Sequence, residues 1–296
     1  MQTSHVELDQ ETLLILGCGD IGLRLAKVMS GISVVGVRRQ LIEHSAANLR
    51  MIQADLAQEE SMDLILQQTQ PDLILVTMTP NERSDQGYKK AYVQTCKRLI
   101  ERISKINKKP RLILFVSSTS IYAQDNGNWV DESSLTDPQH FSGQRLREAE
   151  NILRDANLPI CIVRFSGIYG PGRERLIQQV KSGQLSASKS WTNRIHADDC
   201  ARVLAHLINK QRTSGIEDLY LASDNCPAIL SEVHLWLAEK MAIKNYTVAD
   251  VINERGNKRV SNKRLIETGF SFLYASYKEG YGALLDDIHY NRDTFF

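Results

Sequence analysis

The chain predicts an α/β fold, a doubly wound parallel sheet with a smaller C-terminal part interleaved into it. Three observations carry this. Leu13-Leu14-Ile15-Leu16 runs straight into Gly17-Cys18-Gly19-Asp20-Ile21-Gly22, and an amphipathic stretch follows to Met29. Short apolar runs then alternate with helical patterns as far as Phe165. From Ser166 the composition turns glycine-rich and polar, which no long helix fits.

The first stretch reads as strand, tight turn, helix. Gly17 lets the chain leave the strand sharply, Gly19 has no Cβ to block a close ligand, and Gly22 lets the helix pack on the sheet. The helix start offers free N–H groups and partial positive charge. Together these predict a dinucleotide site of the Rossmann type, with contacts from Gly17, Gly19, Asp20, Ile21 and Gly22.

The second strand ends at Val34-Val35-Gly36-Val37-Arg38-Arg39. A carboxylate here would bond a ribose 2′-hydroxyl; two guanidinium groups suit a 2′-phosphate instead, so NADP is expected over NAD. A third strand is expected over Met51–Leu56. Its Asp55 is a candidate partner for an adenine amino group, an N-cap for the next helix, or both, with Leu56 beside it. Pro71 to Thr77 is the fourth strand, and Thr77, Met78 and Thr79 lie at its carboxyl end, where ligands sit in open α/β sheets. A helix is expected from about Tyr88 to Ile106, ended by Lys108-Lys109-Pro110.

The fifth strand, Arg111–Ser118, runs into Thr119-Ser120-Ile121-Tyr122, a cluster of hydroxyls suited to a substrate carbonyl. Gly127 to Pro138 reads as a polar loop, Phe141 to Ala156 as a helix and Leu158 to Phe165 as the sixth strand. Ser166 to Arg173 crosses into the smaller part, and Trp191 to Asp199 is a second dense polar patch. A helix from about Asp198 to Lys210 and a strand at Leu219-Tyr220-Leu221 lead back to the main sheet. Beyond them a helix from Ile229 to Met241, a strand near Tyr246–Val248 and a helix start at Asn262 are expected. The expected domains are therefore 11–165 for the dinucleotide, rejoined by 195–222, and 166–194 with 223–296 for substrate.

Charges nearly balance at net +1 over 296 residues, so bulk electrostatics give no nucleic-acid or membrane surface. No apolar run is long enough to span a bilayer, and Met1 to Glu11 holds no signal-peptide core. Five cysteines, Cys18, Cys96, Cys161, Cys200 and Cys226, lie scattered without a Cys-x-x-Cys pair and read as reduced thiols, which predicts the cytoplasm. His196 precedes Asp198 and Asp199, but the spacing is poor for a metal, and none is expected.

This order of motifs resembles the extended short-chain dehydrogenase/reductase family, of the nucleotide-sugar epimerase and dehydratase type. The resemblance rests on the glycine loop, Asp55, Ser117–Tyr122, Arg164-Phe165-Ser166-Gly167-Ile168-Tyr169-Gly170-Pro171-Gly172 and Asn193-Arg194-Ile195-His196-Ala197-Asp198-Asp199. The tail Lys258–Leu265, with Gly269-Phe270 and Tyr274–Tyr277, looks like an atypical branch. The resemblance implies an NAD(P)-dependent enzyme acting on a hydroxyl or carbonyl of a nucleotide-sugar-like or small polar substrate, as a monomer or homodimer.

The family's catalytic pair is Tyr-x-x-x-Lys on one helix face, with a serine that Ser118 matches. Where that pair belongs, this chain reads Phe141-Ser142-Gly143-Gln144-Arg145. Phenylalanine moves no proton. Arg145 keeps the charge for ribose hydroxyls, but as a wide, permanent fork. Ser118, Tyr122 and Arg145 are the catalytic candidates; Tyr169, His196 or water are the other routes for a proton. Ser118, Tyr169, Arg173, Arg194 and His196 are the candidates for substrate. A non-catalytic NADP sensor is the alternative reading.

Overall fold

The computed structural model describes residues 10–249 and 256–293. In chain order it begins β1 (Thr12–Leu16), α1 (Asp20–Val28), β2 (Ser33–Arg38), β3 (Leu49–Gln53), α2 (Glu59–Thr69) and β4 (Leu73–Val76). A long helix follows in three parts: α3 (Asp85–Tyr88), a π-helical turn (Lys89–Gln94) and α4 (Thr95–Ile103). Then come β5 (Leu112–Ser118), a 3-10 turn (Thr119–Ile121), β6 (Trp129–Val130), α5 (Phe141–Arg154), β7 (Ile160–Phe165) and β8 (Gly167–Tyr169). The remainder is α6 (Arg175–Lys181), β9 (Gln184–Ser186), β10 (Trp191–Thr192), β11 (Arg194–His196), α7 (Ala197–Thr213), β12 (Leu219–Ala222), β13 (Ala228–Ile229), α8 (Leu230–Lys240), β14 (Thr247–Ala249), β15 (Arg259–Val260), α9 (Lys263–Glu267) and α10 (Tyr277–Asp293).

Seven strands form the parallel sheet, in the order β12-β7-β5-β4-β1-β2-β3. The chain runs outward from β1 to β3, then returns to place β4 on the other side of β1. That reversal puts the carboxyl ends of β1 and β4 side by side, the usual ligand position in such sheets. Leu13 to Leu16 are wholly buried, which is why β1 reads as a continuous apolar run rather than an alternating one.

The chain divides into two compact units. One comprises Met1–Val116, Arg145–Ile162 and Leu207–Asp218; the other comprises Ser117–Gln144, Val163–His206 and Leu219–Phe296. The second unit has its own apolar core, with Ile177, Val180, Leu185, Val233, Leu237 and Tyr281 among its members. Among the described residues, two-stranded ribbons also pair β10 with β13, β11 with β8, β14 with β9 and β15 with β6.

Several local expectations need correction. The third strand ends at Gln53, not Leu56, and Asp55 is not a helix N-cap: Gln58 occupies that position. Asp55 instead closes a turn, its Oδ1 accepting from Ala57 N at 3.0 Å. The expected loop 127–138 contains strand β6, whose partner β15 lies 130 residues on in the register Trp129↔Arg259. The Tyr88–Ile106 helix starts three residues earlier and contains the π turn, where Thr95 Oγ1 donates to Lys90 O five residues back. Among the described residues no helix is long and apolar enough to cross a membrane.

Candidate functional site

In the first unit the glycine loop is built as its sequence requires. Gly17 has φ +84°, and a Cβ on it would lie 2.8–2.9 Å from Met78 Sδ, Met78 Cα and Thr77 O. Gly17 N and Cys18 N both donate to Val37 O, which ties the loop to β2. Gly22 packs helix on strand, with Cys18 Sγ and Ile15 Cγ2 at 3.0 and 3.2 Å from its missing Cβ. Gly19 differs: a Cβ there meets nothing closer than Gly17 O at 3.9 Å. Gly19 is the N-cap of α1 and supplies no side-chain cap, so the first turn of the helix directs backbone N–H groups toward a ligand placed above it. An uncapped helix start under an open Cα is a fitting cradle for a pyrophosphate. Asp20 forms an ion pair with Arg24 at 2.7 Å, which holds its carboxylate on the helix.

Arg38 and Arg39 follow on β2. Arg39 is exposed, and its Nη2 donates to Asn81 in the loop after β4. Arg38 lies near Cys18, whose thiol burial pushes up to about 11 against the pull of that guanidinium. Arg98 Nη1 donates to Leu56 O at 2.9 Å and so fixes the Asp55–Leu56 turn. Thr77 N continues the sheet by donating to Leu16 O, while Met78 abuts Gly17 and Thr79 is exposed.

Arg145 is committed elsewhere than the resemblance implies. Its Nε and Nη2 grip Asp85 at 2.7 and 2.9 Å, a bidentate fork, and its Nη1 holds Glu148 at 2.7 Å. That guanidinium holds the Asp85 carboxyl below the usual carboxylate range. Three of its five N–H groups are thereby taken, and a ribose would meet only the two that remain.

In the second unit Ser118 caps the 3-10 turn, its Oγ accepting from Ser120 N at 3.1 Å. The hydroxyl hydrogen is left to donate. Tyr122 has a different role from the one its motif suggests. Its ring is buried, its hydroxyl donates to Asp131 O at 2.8 Å and accepts from Arg164 Nη1 at 2.6 Å, and Arg164 also stacks on the ring at 5.1 Å. Lys258 Nζ adds a bond to Tyr122 O at 2.9 Å. A hydroxyl so bonded holds a loop rather than meeting a substrate. Tyr122→Phe is therefore expected to lower unfolding free energy by about 1–3 kcal/mol, because a buried charged donor loses one of its hydrogen bonds. Urea denaturation would check this, and an unchanged midpoint would remove the assignment.

The other substrate candidates divide into buried and exposed. Arg173 is exposed, on the turn where its N donates to Gly170 O. Arg194 is buried over the Tyr277 ring, and among the described residues its Nη1 has no hydrogen-bond partner. His196 is 2% exposed; its Nδ1 accepts from Asp198 N at 3.2 Å and its ring lies 4.2 Å from that of Tyr274. Tyr169 packs on Tyr281 at 4.4 Å with its hydroxyl buried and unbonded, and burial raises its pKa well above the phenol range. Asp199 is fully buried and accepts from Leu273 N and Tyr274 N, so the second aspartate of the motif anchors a loop. No group of three His, Cys, Asp or Glu among the described residues is placed to hold a metal ion.

The sequence reading missed Asp85 and Glu148 as partners of Arg145, Arg164 as the partner of Tyr122, and the buried Asp224. The spacing of Arg145 and Glu148, three apart on a helix, was the one available signal.

The family model of the NAD-dependent epimerase/dehydratase family matches residues 13–221. No curated protein sequence matches the chain. A provisionally named NAD-dependent epimerase/dehydratase from Methylobacillus flagellatus is 33% identical, with TM-score 0.79, covering 95% of this chain and 99% of its own. UDP-glucuronic acid 4-epimerase from Bacillus cereus, in complex with UDP-glucuronic acid and NAD, shares the fold at 18% identity and TM-score 0.77, over 91% and 96% of the two chains. UDP-glucose 4-epimerase from Thermotoga maritima, with UDP-glucose, shares it at 16% identity and TM-score 0.78, over 96% and 100%. With its glycine loop, sheet order and matched family model, the chain belongs to the NAD-dependent epimerase/dehydratase family, an extended short-chain dehydrogenase/reductase type.

Proposed function

We propose that this protein binds NADP in preference to NAD and uses it on a hydroxyl or carbonyl of a nucleotide-sugar-like substrate. The single observation that carries the reading is the cradle at Gly19, open above its Cα and uncapped at the start of α1. Gly17, Gly19, Asp20, Ile21 and Gly22 would hold the pyrophosphate. Arg38 and Arg39 would hold a 2′-phosphate. Asp55 and Leu56 would flank the adenine, and Thr77, Met78 and Thr79 would line the carboxyl edge. Bound there, the cofactor supplies hydride exchange.

Substrate recognition is assigned to 166–194 and 223–296, with Arg173 and Arg194 for anionic groups; Tyr169 and His196, whose rings lie 5.3 Å apart, are the other candidates. Ser118 donates its hydroxyl hydrogen to the substrate oxygen. Tyr122 fixes the turn that follows Ser118. With phenylalanine at the family's tyrosine place, and with Tyr169 and His196 buried, water takes the proton. Loss of a positioned acid or base costs about 100- to 10,000-fold in rate, so slow turnover is expected.

Calorimetry with NADP(H) and NAD(H), on wild type and on the Arg38→Ala, Arg39→Ala double variant, tests the cofactor half. Tight NADP binding in the wild type, reduced at least about tenfold in the double variant, is expected from loss of bidentate phosphate contacts. Failure of either dinucleotide to bind would end the reading.

A second reading has its own support. Phe141 in the tyrosine position, and Arg145 held by Asp85 and Glu148, suit a dinucleotide sensor without turnover. Product analysis beside nicotinamide absorbance separates the two: bound NADP with no reduced form and no nucleotide sugar converted favours the sensor.

A further inference from the structure

The tail segment Lys258-Arg259-Val260 is tied to two motifs of the second unit, at Asn193 and at Tyr122. Asn193 Nδ2 donates to Lys258 O at 2.9 Å, and Asn193 Oδ1 accepts from Val260 N at 2.8 Å, so one carboxamide pins the residues on either side of Arg259. Lys258 Nζ reaches Tyr122 O from the same segment. Between those anchors, Arg259 lies between two indoles, its guanidinium carbon 5.0 Å from the ring of Trp129 and 5.0 Å from that of Trp191. Its Nε donates to Gly127 O at 2.8 Å.

The surrounding backbone is shaped to this stack. Gly127 has no Cβ where one would lie 3.2 Å from Trp191 Cδ1, and its N donates to Asn257 O at 2.7 Å. Asn257 Oδ1 accepts from Trp191 N at 2.8 Å. The register of β15 on β6 sets Arg259 opposite Trp129. Arg259 therefore has its rotamer fixed in advance. Among the described residues no hydrogen bond or ion pair occupies its two terminal nitrogens. Trp129 remains 54% exposed although Arg259 lies against it. Asp131, two residues beyond Trp129, has Oδ1 engaged by Ser133 and Ser134.

We infer that Arg259, Trp129 and Trp191 form a binding subsite for an anionic group joined to a flat ring, the chemistry of a nucleoside diphosphate. The open guanidinium edge takes the phosphate by paired N–H bonds, and the exposed indole takes the ring by stacking. This rests on the nucleotide-sugar-like substrate proposed above and gives that substrate a place on the tail.

Tryptophan emission read during titration with UDP tests it, with uridine and pyrophosphate as separate arms. UDP is expected to quench emission, uridine to bind about tenfold more weakly, and pyrophosphate to compete with UDP. Trp129→Ala and Arg259→Lys are each expected to weaken UDP about tenfold, the scale of one lost stack or fork. Trp129 is largely exposed, so its variant keeps the test alive if the arginine variant does not fold; circular dichroism checks both. UDP that fails to bind the wild type, or binds both variants as tightly as wild type, overturns the subsite. Dinucleotide calorimetry on the same preparations keeps the two proposals apart. Wild type that binds UDP through Trp129 but binds no dinucleotide preserves the subsite and defeats the cofactor reading. Wild type that binds NADP, with UDP indifferent to both variants, defeats the subsite alone.

Discussion

Gly17→Ala and Gly19→Ala are expected to fail in opposite ways. At Gly17 the backbone sits at φ +84°, which costs a side-chain-bearing residue about 1–3 kcal/mol. The new methyl would also lie 2.8–2.9 Å from three atoms, two of them backbone at the end of β4. Backbone cannot swing aside as a flexible side chain can. Gly17→Ala should therefore lose about 2–4 kcal/mol of stability, strain and overpacking together, and lose dinucleotide binding as a consequence. At Gly19 the backbone is extended and the added methyl has no neighbour closer than 3.9 Å. Gly19→Ala should keep stability within about 1 kcal/mol of wild type, because no contact is disturbed. It should still weaken the dinucleotide at least about tenfold, since the methyl occupies the space meant for phosphate. Urea denaturation and calorimetry on the same two proteins read both quantities. A Gly19→Ala protein that binds NADP like wild type would show that the pyrophosphate does not lie there.

The second large effect concerns pH. Asp224 is 1% exposed, and among the described residues its Oδ2 has no hydrogen-bond partner. Burial pushes its pKa from 3.8 up to about 7, opposed by the Cys226 amide and the Arg194 charge. Between those values the folded protein holds a proton that the unfolded chain has released. Its contribution to stability therefore falls as pH rises from about 4 to about 7 and is level above that. The scale is at most about 4 kcal/mol, at 1.36 kcal/mol for each pKa step. His234 works in the opposite direction. Its Nδ1 accepts from Ser186 N, and burial lowers its pKa from 6.5 to about 4. The unfolded chain takes up a proton in that window and the folded one does not, so this term rises with pH from about 4 to 6.5. The two slopes offset each other in the wild type, and single variants uncover them. Asp224→Asn should gain on wild type progressively between pH 4.5 and 7.5, and His234→Asn should gain toward acid. Denaturation midpoints at three or four pH values decide it. An Asp224→Asn curve parallel to wild type would mean the buried carboxyl does not titrate as assigned.

The two aspartates of the second polar patch show where reading the sequence stopped. Asp198 and Asp199 stand beside His196 and invite a ligand role, yet Asp199 is spent on two loop amides and His196 is buried against Tyr274. Their neighbourhood in sequence was visible; their hydrogen-bond partners, more than seventy residues away for Asp199, were not. The displaced third strand has a simpler cause. Met51 to Leu56 is apolar enough to read as one element, but the Asp55 side chain closes a turn through Ala57 and ends the ladder at Gln53.

By itself the sequence determined the strand-turn-helix at Gly17 to Gly22, the alternation of strands and helices, and the replacement of Tyr-x-x-x-Lys by Phe141 and Arg145. These are legible because periodicity and glycine stereochemistry belong to adjacent residues. Only the tertiary structure decided that Arg145 grips Asp85, sixty positions away, and that Tyr122 is locked by Arg164, forty-two away. It also decided that Asn193 pins Lys258 and Val260, more than sixty positions away. The physical reason is common to all of these. The charge state and availability of a polar group depend on its desolvation and on the partners within about 3 Å. Those partners are chosen by the packing of distant elements, which no local pattern encodes.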